Sequence, residues 1–133
     1  IAKYYGDTRT PYLEQMILAA FISEGHYARH VRRVRKACHE RQRVMIEAIQ
    51  LYLPEITLAE PFDSGIHIVC WLAEGIQESY MIDQCRKAGL GAQPLSRYCQ
   101  TQPTKQAILF GFAAHTPSEI VDGIKKLAQT MTR

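Results

Sequence analysis

The sequence predicts an α+β domain: a small, mostly antiparallel sheet with helices packed on one face, including one long N-terminal helix. Three observations carry this. From His26 to Leu53 the apolar residues recur mostly at threes and fours, and Pro54 stops the pattern. Short β-branched and aromatic runs stand together between helical patterns rather than alternating strictly with them, which favours α+β over α/β. At 133 residues, with 47% hydrophobic and 22% charged residues, the chain has the makings of one globular core.

In order, Thr10-Pro11 opens the first helix, with the hydroxyl as N-cap and proline at the first helical position. Leu13, Met16, Ile17, Ala20 and Phe21 give it an apolar pattern that ends near Glu24-Gly25. The long helix follows, roughly 40 Å at 1.5 Å per residue. Its apolar stripe runs through Tyr27, Val31, Val34, Cys38, Met45, Ile49 and Tyr52, and its other face is basic: Arg29, Arg32, Arg33, Arg35, Lys36, Arg41 and Arg43. Ile56 to Glu60 is a short strand. After Gly65, Ile66 to Leu72 is a buried one, since β-branched and aromatic residues fit a pleated surface. Glu78 to Ala88 reads as a helix with Gly89 as its C-cap, and Leu90 to Leu95 as a brief strand. Ser96 to Lys105 is irregular. Ala107 to Ala113 is the last strand. Thr116-Pro117-Ser118-Glu119 then combines N-cap, first-position proline and capping-box glutamate. Ile120, Val121, Ile124, Leu127, Ala128 and Met131 form the buried stripe of that closing helix.

No apolar run is long enough to span a bilayer and no secretory signal pattern opens the chain, so the expected location is cytoplasmic. Cys38, Cys70, Cys85 and Cys99 form no CxxC pair and are expected to be reduced and mostly buried. The net charge of +3 implies no particular partner. The opening Ile1-Ala2-Lys3-Tyr4-Tyr5-Gly6-Asp7 reads as chain already under way, a piece of something longer.

The sequence holds no phosphate-cradling glycine motif, no HExxH, no GxSxG and no acidic cluster at metal spacing, so no catalytic residue and no metal site is assigned. His26 and His30 are four apart on one helix face but have no third ligand nearby, and His39 lies further along the same helix. His67 points to the sheet face opposite Ile66 and Ile68, as a structural histidine. Glu40 and Glu47 among the arginines favour a solvated, salt-bridged face over a nucleic-acid contact. The most suggestive segment is Pro94-Leu95-Ser96-Arg97-Tyr98, a strand end entering a polar loop. An arginine there can pair a carboxylate through two parallel hydrogen bonds, with Ser96 and Tyr98 as further donors.

Three stretches resemble the MocR subfamily of GntR regulators. They are Phe21 through Arg35 with its EGH-aromatic-ARHxRRxR pattern, Gly65-Ile66-His67 through Glu74-Gly75, and Pro94 to Tyr98 followed by Leu109 to Ala113. The resemblance covers nearly the whole chain. It implies the small C-terminal domain of a fold type I, pyridoxal-phosphate-dependent aminotransferase-like protein, with residues 1–24 a junction from a missing large domain and 25–133 the small domain proper. It implies pyridoxal 5'-phosphate in the full-length protein, on a lysine upstream of this chain and not stably on the fragment. Lys3, Lys36, Lys87, Lys105, Lys125 and Lys126 lack the family's Ser-Lys context.

The resemblance further implies DNA binding through a missing N-terminal winged helix-turn-helix, a homodimer for the full-length protein, and a small amino compound or the cofactor as effector. Arg97 becomes the residue expected to grip the effector's carboxylate. In aminotransferases that arginine stands near the start of the last strand, where this chain has Gln106 and Ala107. Tyr4, Tyr5 and Arg9 fall near the implied domain junction, where they are candidates to approach the cofactor pocket or a dimer partner. The competing reading is the small domain of a working aminotransferase acting on amino acids. The blandest is a folding unit without separable activity.

Overall fold

The computed structural model describes residues 11–58, 65–101 and 103–131. Tyr4, Tyr5, Arg9 and Thr10 lie outside the described residues. The chain forms two compact units, one up to Lys36 and one from Ala37 onward.

In the first unit, helix α1 spans Tyr12–Ser23. It starts one residue later than the sequence predicts, because Pro11 has an extended ψ of 100° and stands outside the helix as its N-cap. The Pro11 carbonyl still accepts the first helical bond, from the Gln15 amide at 3.2 Å. Gly25, at φ 78°, makes the turn that a side chain would strain. Helix α2, His26–Tyr52, then opens with the Arg29 amide bonded to the Gly25 carbonyl at 3.1 Å. No residue of α1 is buried, and Leu13, Ile17 and Ile22 are all more than half exposed. The predicted apolar stripe of α2 therefore divides: Tyr27 and Val34 are exposed, and burial starts at Met45. Periodicity announces an apolar face, but the described residues do not cover this part of it.

In the second unit the end of α2 leads to strands β1 (Ile56–Leu58) and β2 (His67–Leu72), helix α3 (Glu78–Lys87), strand β3 (Ala92–Pro94), a 3-10 turn (Leu95–Tyr98), strand β4 (Ala107–Gly111) and helix α4 (Pro117–Met131). The four strands lie in the order β1-β2-β4-β3, every neighbouring pair antiparallel. The last strand thus enters between β2 and β3, and Leu109 is flanked by Val69 on one side and Gln93 on the other. Alternation sorts the faces. Ile68, Cys70, Ile108 and Phe110 turn inward, onto Met45 and Ile49 of α2, Met81 and Cys85 of α3, and Ile120, Ile124 and Leu127 of α4. Val69, Trp71 and Leu109 are half-buried on the other face, where exposed His67 lies across Gly111. The sequence-predicted α+β layer is the observed one.

Two details fix α4 and α2. Thr116 and Glu119 form the predicted capping box: the Glu119 carboxylate accepts from the Thr116 amide at 2.7 Å and its hydroxyl at 2.8 Å, while the Glu119 amide donates to Thr116 Oγ1 at 3.4 Å. Arg41, read from sequence as part of the basic face, instead donates from Nη1 to the Ala113 carbonyl beyond β4. No helix among the described residues is long and apolar enough to cross a membrane.

Candidate functional site

The Pro94–Tyr98 segment is a tethered turn. Pro94 ends β3 in extended geometry, φ −70° and ψ 138°, and the next four residues wind into the 3-10 turn. The Cys99 amide closes it on the Ser96 carbonyl at 3.2 Å. Such a piece is too short to hold itself, since 3-10 hydrogen bonds are poorly aligned. What holds it is Glu78, the first residue of α3, which sequence reading left unmarked. Glu78 is only 7% exposed. One carboxylate oxygen, Oε1, accepts from the Ser96 amide at 3.3 Å and from the Ala107 amide at 3.2 Å. The other, Oε2, accepts the Ser96 hydroxyl at 2.5 Å. The Glu78 amide in turn donates to Gln106 Oε1 at 3.2 Å, and the Gln106 carbonyl accepts from the Leu72 amide at 3.0 Å. The turn, the head of α3 and the start of β4 are therefore fastened at one carboxylate.

A buried carboxylate is costly unless its lone pairs are met. Here neutral donors meet them, helped by the positive end of the α3 dipole. No signal in the sequence marks Glu78, because an acidic residue in a first helical turn is ordinary and its partners lie 18 to 29 residues away.

Arg97 projects from the turn, exposed, with Nη1 donating to Gln93 Oε1 at 2.9 Å. Among the described residues it makes no ion pair. Gln93 stands beside Leu109 on the open sheet face, so the guanidinium is steadied near that face with donors to spare. Tyr98 is 63% exposed. Ser96 shares the turn, but its hydroxyl proton is already committed to Glu78. Beside the latch, Trp71, Gln77, Thr104, Lys105 and Gln106 border an open cleft of about 530 Å³.

His26 pairs with Glu24 at 3.3 Å and stacks on Phe21, and His30 contacts Arg33 at 3.3 Å. Arg43 pairs with Glu47 at 2.6 Å, as expected for a salt-bridged helix face. No group of three metal-ligating side chains occurs among the described residues. Cys70 and Cys85 are buried and Cys38 half-buried, in line with the expectation of mostly buried thiols, and Cys99 is the exception, exposed at the end of the turn. Lys36, Lys87, Lys105, Lys125 and Lys126 are all exposed. A lysine that anchors an aldehyde cofactor needs a desolvated, enclosed setting to lose its proton. The described lysines do not fit that role.

No family model matches the chain. It is 32% identical over 113 residues to an uncharacterized HTH-type transcriptional regulator YdeL of Bacillus subtilis, covering 85% of this chain and 24% of the relative. It is 30% identical over 115 residues to a probable rhizopine catabolism regulatory protein MocR of Rhizobium meliloti, covering 86% and 23%. Among solved structures, a Pyrococcus horikoshii kynurenine aminotransferase matches with a TM-score of 0.84 and 26% identity, over 98% of this chain and 32% of that one. The chain thus spans about a quarter of the length of the regulators and a third of the aminotransferase. Sequence and fold together match the chain to a C-terminal, aminotransferase-like part of MocR-type regulators.

Proposed function

We propose that this chain is the part of a MocR-type regulator that closes over a small amino-compound effector, with Arg97 pairing the effector's carboxylate and Tyr98 and Ser96 at its sides. The observation that carries the proposal is the tethered turn. An exposed arginine that makes no ion pair among the described residues is set on a segment fastened to a buried carboxylate and steadied by Gln93. A domain that closes on a ligand must interact with it differently when open and when closed, and a charge-paired arginine supplies that difference.

In this reading the chain has no catalytic residue of its own. Pyridoxal phosphate is held by the remainder of the parent protein, which also contributes a DNA-binding helix-turn-helix and a dimer partner. The regulator likeness supports the DNA-binding part, and the aminotransferase likeness supports the cofactor. The parent is expected to work in the cytoplasm. The alternative, a working aminotransferase in which the same arginine orients an amino-acid substrate, is favoured by the likeness to the kynurenine aminotransferase.

The test is Arg97→Ala in the full-length protein. Loss of a charged hydrogen-bonded pair costs about 2 kcal/mol or more, which is about 30-fold in effector affinity. Unchanged affinity removes Arg97 from the site. Turnover of an amino acid by the parent, with no effect of amino compounds on DNA binding, replaces the regulator reading with the enzyme.

A further inference from the structure

The Ser96 hydroxyl has one proton, and that proton faces Glu78. A carboxylate only accepts hydrogen bonds, so the 2.5 Å contact between Ser96 Oγ and Glu78 Oε2 has one polarity, the serine donating. The same glutamate holds the Ser96 amide at 3.3 Å, which pins the residue at two points. What remains of the hydroxyl toward solvent is its lone pairs. Beside Arg97, a group that only donates, the turn therefore offers a fixed acceptor.

We propose that Glu78 is a positioning residue that sets ligand selectivity at the Leu95–Tyr98 turn: it fixes the turn carrying Arg97 and holds the Ser96 oxygen as an acceptor, so that the turn favours ligands bearing an N–H or O–H donor near their anionic group. This deepens, and rests on, the assignment of Arg97 as the anion-binding residue. Glu78 touches no ligand in this scheme. It acts through Ser96, and the polarity it imposes is the opposite of the donor role that the sequence suggests for that serine.

The polarity can be reversed without removing the latch. In Glu78→Gln the amide oxygen still accepts from the Ser96 and Ala107 amides, while the amide nitrogen donates to Ser96 Oγ and turns the hydroxyl proton outward. Glu78→Ala removes both acceptor oxygens and all three hydrogen bonds they accept. In the full-length protein, calorimetric titration with β-alanine and with propionate compares probes that differ by one ammonium group.

Wild type is expected to bind β-alanine more tightly than propionate, with both dependent on Arg97. Glu78→Gln is expected to cut that preference at least 5-fold, mainly by weakening β-alanine, and Ser96→Ala to cut it similarly. Hydrogen exchange read by mass spectrometry is expected to be faster over residues 94–99 and 106–109 in Glu78→Ala than in wild type or Glu78→Gln. An unchanged preference in Glu78→Gln, with binding still lost in Arg97→Ala, overturns this inference and leaves the Arg97 assignment standing. Binding indifferent to Arg97→Ala, or no binding of either probe, overturns the Arg97 assignment and this inference with it. Equal exchange in Glu78→Ala and wild type overturns the latch whatever binds.

Discussion

Alkaline titration should weaken the folded chain through Cys70 and Cys85. Their side chains are 0% and 1% exposed, on β2 and α3. Burial pushes each thiol from 9.0 up to about 12, and for Cys70 the neighbouring Cys85 adds to the rise. The folded state therefore resists ionisation that the unfolded chain accepts. A raised folded value means that the stabilisation is whole below pH 9 and is lost as pH climbs toward 12. At about pH 10.5 an unfolded thiol has gained about 1.5 pH units of ionisation, about 2 kcal/mol at 1.36 kcal/mol per unit. The pair together gives about 4 kcal/mol, a large share of the ~5–15 kcal/mol that holds a domain folded. Urea unfolding at a series of pH values, for wild type and for Cys70→Ala/Cys85→Ala, measures it. The double variant should be less stable at pH 8, because it leaves small voids, yet lose less stability between pH 9 and 10.5. An alkaline slope as steep in the variant as in wild type refutes the reasoning.

Other expectations follow from the same geometry. Thr116→Ala removes the N-cap of α4 and should cost about 1 kcal/mol in thermal or urea unfolding. The same change bears on acid stability. Hydrogen bonds from the Thr116 amide and hydroxyl hold the Glu119 carboxyl below its usual range, so that stabilisation is present above the unfolded value and lost as pH falls through the folded one. Thr116→Ala removes the hydroxyl's share and should flatten this part of the acid profile only in part, because the Thr116 amide, the larger contributor, stays. Leu127, fully buried on α4, should cost about 2–5 kcal/mol on replacement by Ala. A thiol reagent should label exposed Cys99 first and leave Cys70 and Cys85 untouched until the chain unfolds, as peptide mapping will read.

The order of elements was legible because each signal was local. The 3.6-residue stripe of α4, the Thr116–Glu119 box and the β-branched run of β2 each lie within one short window. The 3-10 turn at Leu95–Tyr98 is not legible as structure in the sequence, since four residues show no periodicity. Its anchor was invisible for a different reason: Glu78 meets Ser96 and Ala107 only after the sheet has brought β3 and β4 to the head of α3. Arg41 fails in the same way, as its partner carbonyl lies 72 residues on. The exposed half of the α2 stripe shows the converse limit. Apolar spacing states that a face is to be covered, not that the same segment covers it. Arg97 was legible as a candidate from its loop and its chemistry. That it is steadied by Gln93 was not, because the two side chains meet only when the turn is wound.

In the proposed function this chain closes over a pyridoxal-phosphate site without anchoring the cofactor. Titration of pyridoxal phosphate into the full-length parent and into the isolated 133-residue chain, with borohydride reduction and peptide mapping, tests it most directly. A trapped adduct is expected on one lysine of the parent outside these 133 residues and none on the chain. A stoichiometric adduct at a single lysine of the isolated chain would contradict it.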